Sequence, residues 1–230
     1  MNNQKIINYV KNKKLNEYRF GNITLIIKDP LTTDIDLPDM FDRVNSILPD
    51  HFSRLVDIIY IGNFDFLNQR QVNAMYMDGA IYLSNVQDDM QDLEDDIIHE
   101  FAHAVEEKFG YEIYEDDKVK NEFLLKRRKL KFLLEDQDHD VEHLDFFNTE
   151  YNKEFDDFLN EVIGYDILRI LTVDLFLAPY SITSLREYFA RGFEEFYLGK
   201  RQYLREICPY IDKKLYLLNK LEDGVINYEF

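Results

Sequence analysis

The run Ile97-Ile98-His99-Glu100-Phe101-Ala102-His103-Ala104-Val105 sets a His-Glu-x-x-His motif inside an apolar segment of helical period, which predicts a buried helix. Residues four apart on a helix lie one above the other on one face. His99 and His103 therefore present two imidazoles side by side, with Glu100 on the adjacent stripe. Such an arrangement suits zinc: two nitrogens for the metal, and a carboxylate close enough to take a proton from activated water. The motif is short, and histidines that merely pack are its bland explanation. No charge lies between Glu100 and His103, and the apolar surroundings favour the metal.

Upstream, residues 88–96 are acidic, which suits the positive end of a helix dipole, and Leu93, Ile97, Ile98, Phe101, Ala102 and Val105 keep helical spacing towards Gly110. Just before them Asp78-Gly79 separates Met75-Tyr76-Met77 from Ala80-Ile81-Tyr82-Leu83. Asp-Gly tolerates the positive φ of a two-residue turn, so residues 73–83 read as a hairpin. An edge strand there would bind an extended peptide through main-chain hydrogen bonds, although an ordinary hairpin fits equally well.

Further back, residues 17–28 read as one strand closed by Asp29-Pro30. Asp36 precedes a helical pattern through Leu48, with Pro38 in the first turn and Pro49 at the end. Residues 55–61 read as a second strand, and residues 64–68 as a short segment after it.

Downstream, residues 112–117 are acidic, and Lys118, Lys120, Lys126, Arg127, Arg128, Lys129 and Lys131 cluster on a helix with Phe123, Leu124, Leu130 and Leu134 inward. A solvated face is the plain reading of those charges, a partner-binding patch the sharper one. Residues 135–142 read as an acidic loop. From Thr149 a long helical pattern runs to Leu171 as core, through Ile167 and Ile170 among others. Pro179 breaks it, Ser184 caps another helix that ends before Gly199, and a last helix follows Pro209.

A catalytic zinc takes three protein ligands and leaves the fourth position to water, so one more ligand is needed. Glu122 follows Asn121, nineteen positions after His103, as in an Asn-Glu ligand helix, but its neighbours are densely basic. His139-Asp140-Val141-Glu142-His143 spells the inverted zinc motif, but acidic residues crowd it and no apolar run precedes it. Glu187 lies in the amphipathic segment Ser184-Leu185-Arg186-Glu187-Tyr188-Phe189-Ala190-Arg191-Gly192-Phe193, whose Ala190 and Gly192 permit close helix approach.

Two blocks resemble one family. Ile98-His99-Glu100-Phe101-Ala102-His103-Ala104-Val105-Glu106-Glu107, continuing to Gly110-Tyr111, and Glu187-Tyr188-Phe189-Ala190 with Phe193 and the earlier Tyr180, are similar to the protease domain of anthrax lethal factor and to the Pro-Pro endopeptidases, zinc metallopeptidases of gluzincin type. The resemblance implies His99, His103 and Glu187 as zinc ligands, Glu100 as general base, and Tyr180, seven positions before the third ligand, as a catalytic assistant. It covers roughly thirty residues. The gap from His103 to Glu187 is longer than the family's, the excess falling within residues 112–150, and Arg191 stands where the family often has Glu.

The expectation is an α+β, zincin-like single domain, residues 1–230. A small twisted N-terminal sheet and the active-site helix form residues 1–110, and a helical C-terminal subdomain with a charged insertion about 112–150 forms residues 111–230. With 46% apolar residues the chain can build a core without staples, and Cys208, the only cysteine, allows no internal disulfide. Forty-five acidic against 27 basic residues, net -18, disfavour nucleic acid and anionic membranes and would draw in a basic protein or peptide substrate. Residues 1–14 show no signal-peptide pattern, and the run 163–178 is broken by Asp166, Arg169 and Asp174, so a cytoplasmic location is expected. The expected function is zinc-dependent peptide hydrolysis. The alternative is a catalytically silent zincin fold acting as an acidic binding or structural protein.

Overall fold

The computed structural model describes residues 16–221; the segment 1–14, read as lacking a signal peptide, lies outside them. The architecture is mixed α+β, and the chain divides into two compact units whose boundary falls between Ala104 and Val105, inside one helix.

The first unit holds β1 (Asn16–Phe20), β2 (Ile23–Ile27), α1 (Leu37–Ile47), α2 (Asp50–Ser53), β3 (Ile58–Gly62), α3 (Asp65–Arg70), β4 (Ala74–Met77), β5 (Ala80–Ser84) and the start of α4 (Met90–Tyr114). The single strand expected over 17–28 is in fact a hairpin, with Asn16 opposite Ile27. Gly21 takes φ +60°, free of the Cβ penalty, and reverses the chain inside what reads as one strand. The sheet order is β1-β2-β3-β5-β4. β2, β3 and β5 run parallel, and an antiparallel hairpin closes each end. Leu25, Ile59, Ile61, Ile81 and Leu83, which share one face of the sheet, are fully buried, while Ile26, Tyr60 and Tyr82 on the other face are partly buried.

Local chemistry sets the elements around this sheet. Asp36 caps α1, its carboxylate accepting from the Asp39 N–H at 3.1 Å, and Pro38 occupies the first turn. The buried Phe41 of α1 stacks on Phe20 of β1, centroids 4.3 Å apart. Burial of such a side chain contributes about 1.5–3 kcal/mol. Asp78 and Gly79 both take positive φ, 50° and 78°, the requirement of the hairpin turn that leaves β4 at the sheet edge.

The second unit is helical. After the end of α4 come α5 (Lys118–Asp136), α6 (Lys153–Asp157), a π-helical turn (Phe158–Ile163), α7 (Tyr165–Leu171), a 3₁₀ turn (Pro179–Ile182), α8 (Leu185–Tyr197), α9 (Arg201–Ile207) and α10 (Pro209–Asn219). The long core helix expected from Thr149 is interrupted at Gly164, which takes φ +87°. Only Leu168 of α7 is buried, while Ile167 and Ile170 are 54% and 78% exposed. α9 is short, and its buried face is only the pair Leu204 and Ile207, too brief a pattern to mark a helix in sequence.

The basic run is not simply a solvated face. Lys126 is buried and donates to the carbonyls of Leu175 and Ile207, each at 2.7 Å. Arg127, 1% exposed, lies 4.0 Å over the Phe155 ring and donates to the carbonyls of Asn148 and Asp145, tying the charged segment to the core. Burial pulls its guanidinium down to about 10. Among the described residues, no helix is long and apolar enough to cross a membrane.

Candidate metal centre

Helix α4 carries the motif. The Asp89 carboxylate accepts from the N–H groups of Gln91 at 2.8 Å and Asp92 at 3.0 Å, which satisfies helix-start donors that have no intrahelical partner. Leu93, Ile97, Ile98, Phe101 and Ala102 are fully buried. Their face fixes the rotation of the helix and leaves His99 and His103 on one flank, ring centroids 4.9 Å apart. His103 is 6% exposed and His99 half-buried.

Glu100 is also buried, and its Oε2 accepts a hydrogen bond from the backbone N–H of Tyr76 at 2.5 Å. The edge strand β4 thus holds the motif carboxylate. Sequence reasoning missed this because any residue but proline supplies a main-chain donor.

Ser184 caps α8 by accepting from the Glu187 N–H at 3.1 Å, which puts Glu187 in the first turn at a capping-box position. Close approach through small residues occurs at Gly192, where a Cβ would lie 2.6 Å from Ile211 Cγ2 of α10. Tyr188, Phe189, Ala190 and Phe193 are fully buried and leave Glu187 on the half-buried flank.

One ligand atom from each of His99, His103 and Glu187 lies within 4.8 Å of the others. Donors about 2.0–2.1 Å from a tetrahedral zinc stand about 3.3 Å apart. Two imidazoles and one carboxylate, with a position left for water, fit a catalytic rather than a structural zinc.

Of the competing ligands, Glu122 is engaged elsewhere. Glu122 Oε1 accepts from the Tyr188 hydroxyl at 2.8 Å and Oε2 from the Tyr210 N–H at 3.3 Å, so it braces the second unit's core. Burial raises its pKa. The inverted motif at His139 and His143 lies in irregular chain rather than on a helix, and His143 is exposed. A helix is what would align its ligands.

Tyr180 sits on the 3₁₀ turn, 39% exposed, with its ring edge-on to Tyr165 at 6.5 Å. The Tyr165 hydroxyl donates to Asp156 at 2.6 Å, and the Tyr151 hydroxyl donates to the other oxygen of that carboxylate at 2.9 Å. A second unforeseen feature is Asp96, one turn before His99. Burial pushes its carboxyl up to about 7 against the opposing hydrogen bond from Gln87. Its signal was diluted in sequence by the acidic run around it. No family model, curated protein or solved structure matches the chain.

Proposed function

We propose that the protein is a zinc-dependent endopeptidase of the gluzincin type that the two sequence blocks resemble, with a zincin-like fold. The observation that carries this reading is the convergence of His99, His103 and Glu187, with Glu100 on the same helix as the histidines. When bound, zinc would polarise the scissile carbonyl and lower the pKa of water to about 7.

The remaining work falls to the chain's own groups. Glu100 takes the proton from water and delivers it to the leaving amine, while the Tyr76 N–H keeps its carboxylate in place. Tyr180 donates to the oxyanion, an effect typically worth about 3–4 kcal/mol. The edge strand β4, apart from the Tyr76 N–H that Glu100 takes, would offer main-chain groups to an extended peptide, and the net charge of -18 favours a basic one.

The test is metal analysis combined with a peptide library, on wild type and on Glu100→Ala. Cleavage by a zinc-loaded wild type and none by a variant that retains zinc supports the reading. A wild type that carries stoichiometric zinc and cleaves nothing overturns the enzyme, and one that takes up no zinc overturns the site as well.

A further inference from the structure

A carboxylate outside the ligand set joins the surroundings of both ligand-bearing helices. Glu106 lies one turn after His103 on α4, and its side chain is only 16% exposed. Its Oε1 accepts from the Tyr114 hydroxyl at 2.5 Å, and its Oε2 lies 3.5 Å from Nε of Arg186. Arg186 immediately precedes Glu187 on α8.

Between Glu106 and Tyr114 the helix is kinked. Phe109 takes φ -116° and ψ 21°, outside the helical range. Residues eight apart on a straight helix are about 12 Å apart along its axis, so one hydrogen bond between them constrains the kink. Tyr114 reaches α8 as well, its ring at 6.5 Å and 68° to that of Phe189. Burial and the neighbouring Glu106 raise the Tyr114 pKa well above its ordinary value, so the phenol stays a donor.

Glu106 is thus a junction of three pieces: the turn after the second histidine, the helix beyond the kink, and the residue next to the third candidate ligand. We propose that Glu106 is a positioning residue for the metal centre, whose pairing with Arg186 and Tyr114 fixes the start of α8, the helix that carries Glu187. This rests on the zinc reading above. Groups that orient metal ligands from outside the coordination sphere typically matter about 10–100-fold in metal affinity.

The test measures zinc affinity of the full chain by competition with a chromophoric chelator, alongside the melting of the metal-free protein. Glu106→Ala and Arg186→Glu should each weaken zinc binding about 10–100-fold while the metal-free protein stays folded. The double exchange Glu106→Arg with Arg186→Glu should recover the part of the loss carried by the ion pair, the Tyr114 hydroxyl still lacking its acceptor, and metal-free melting unchanged across the series separates positioning from a structural defect. If wild type binds zinc and both single variants bind it equally tightly, or the exchange recovers nothing, the positioning role is wrong. If wild type binds no zinc at all, the metal reading itself fails.

Discussion

The backbone N–H of Tyr76, on the edge strand of the sheet, donates to the Glu100 carboxylate of the motif helix at 2.5 Å. A general base needs one oxygen aimed at its proton donor, and a fixed hydrogen bond on the other limits where it can point. Proline removes the donor, and at an edge it need not disturb sheet pairing. Tyr76→Pro should therefore lower kcat about tenfold or more while leaving zinc affinity unchanged. Unchanged turnover in a folded variant would remove Tyr76 from the mechanism.

Tyr180→Phe should keep zinc and lower kcat by about 10²–10³-fold, the usual cost of one lost oxyanion donor. Tyr165→Phe deletes the hydrogen bond to Asp156 and keeps the ring against Tyr180, so its effect should be smaller. Steady-state rates on any cleaved peptide decide both; full activity in Tyr180→Phe would end its assignment.

Glu122→Ala should leave zinc binding intact and destabilise the fold by about 1–3 kcal/mol, since the buried Tyr188 hydroxyl and the Tyr210 N–H lose an acceptor. Denaturant unfolding and metal analysis measure the two halves separately. Zinc loss without destabilisation would restore Glu122 as a ligand.

Asp96 gives the metal-free protein a pH signature. Its folded pKa, about 7, lies above the unfolded value of 3.8, so the folded state binds the proton more tightly. That stabilisation is complete below about pH 4 and lost as pH rises through about 7. Asp96→Asn should gain stability relative to wild type over that window, by at most about 4 kcal/mol, as read from urea unfolding at several pH values. Parallel curves for the two proteins would show that Asp96 titrates normally.

How much was legible in the sequence varied with the kind of signal. The motif helix, the Asp78-Gly79 hairpin and the Ser184 cap each carry a local chemical marker, and each forms as read. The hairpin inside residues 17–28 does have a marker, Gly21-Asn22 between Phe20 and Ile23, which reading the stretch as one strand passed over. Gly164 broke the long helix where periodicity alone continued through it. Lys126 and Arg127 look like surface charge in sequence; only the fold reveals the carbonyls they reach. From sequence, the basic neighbours of Glu122 counted against it, and the family resemblance decided for Glu187. Their partners differ in the fold, Glu122 being held by Tyr188 and Tyr210, while Glu187 stands near two imidazoles.

The central claim is a zinc centre held by His99, His103 and Glu187, and the most direct measurement is a calorimetric zinc titration of the metal-free wild type and of Glu187→Ala. One zinc per chain in wild type, with affinity sharply reduced in Glu187→Ala, is the predicted result. Wild-type affinity in Glu187→Ala, or no zinc uptake by wild type, would contradict it.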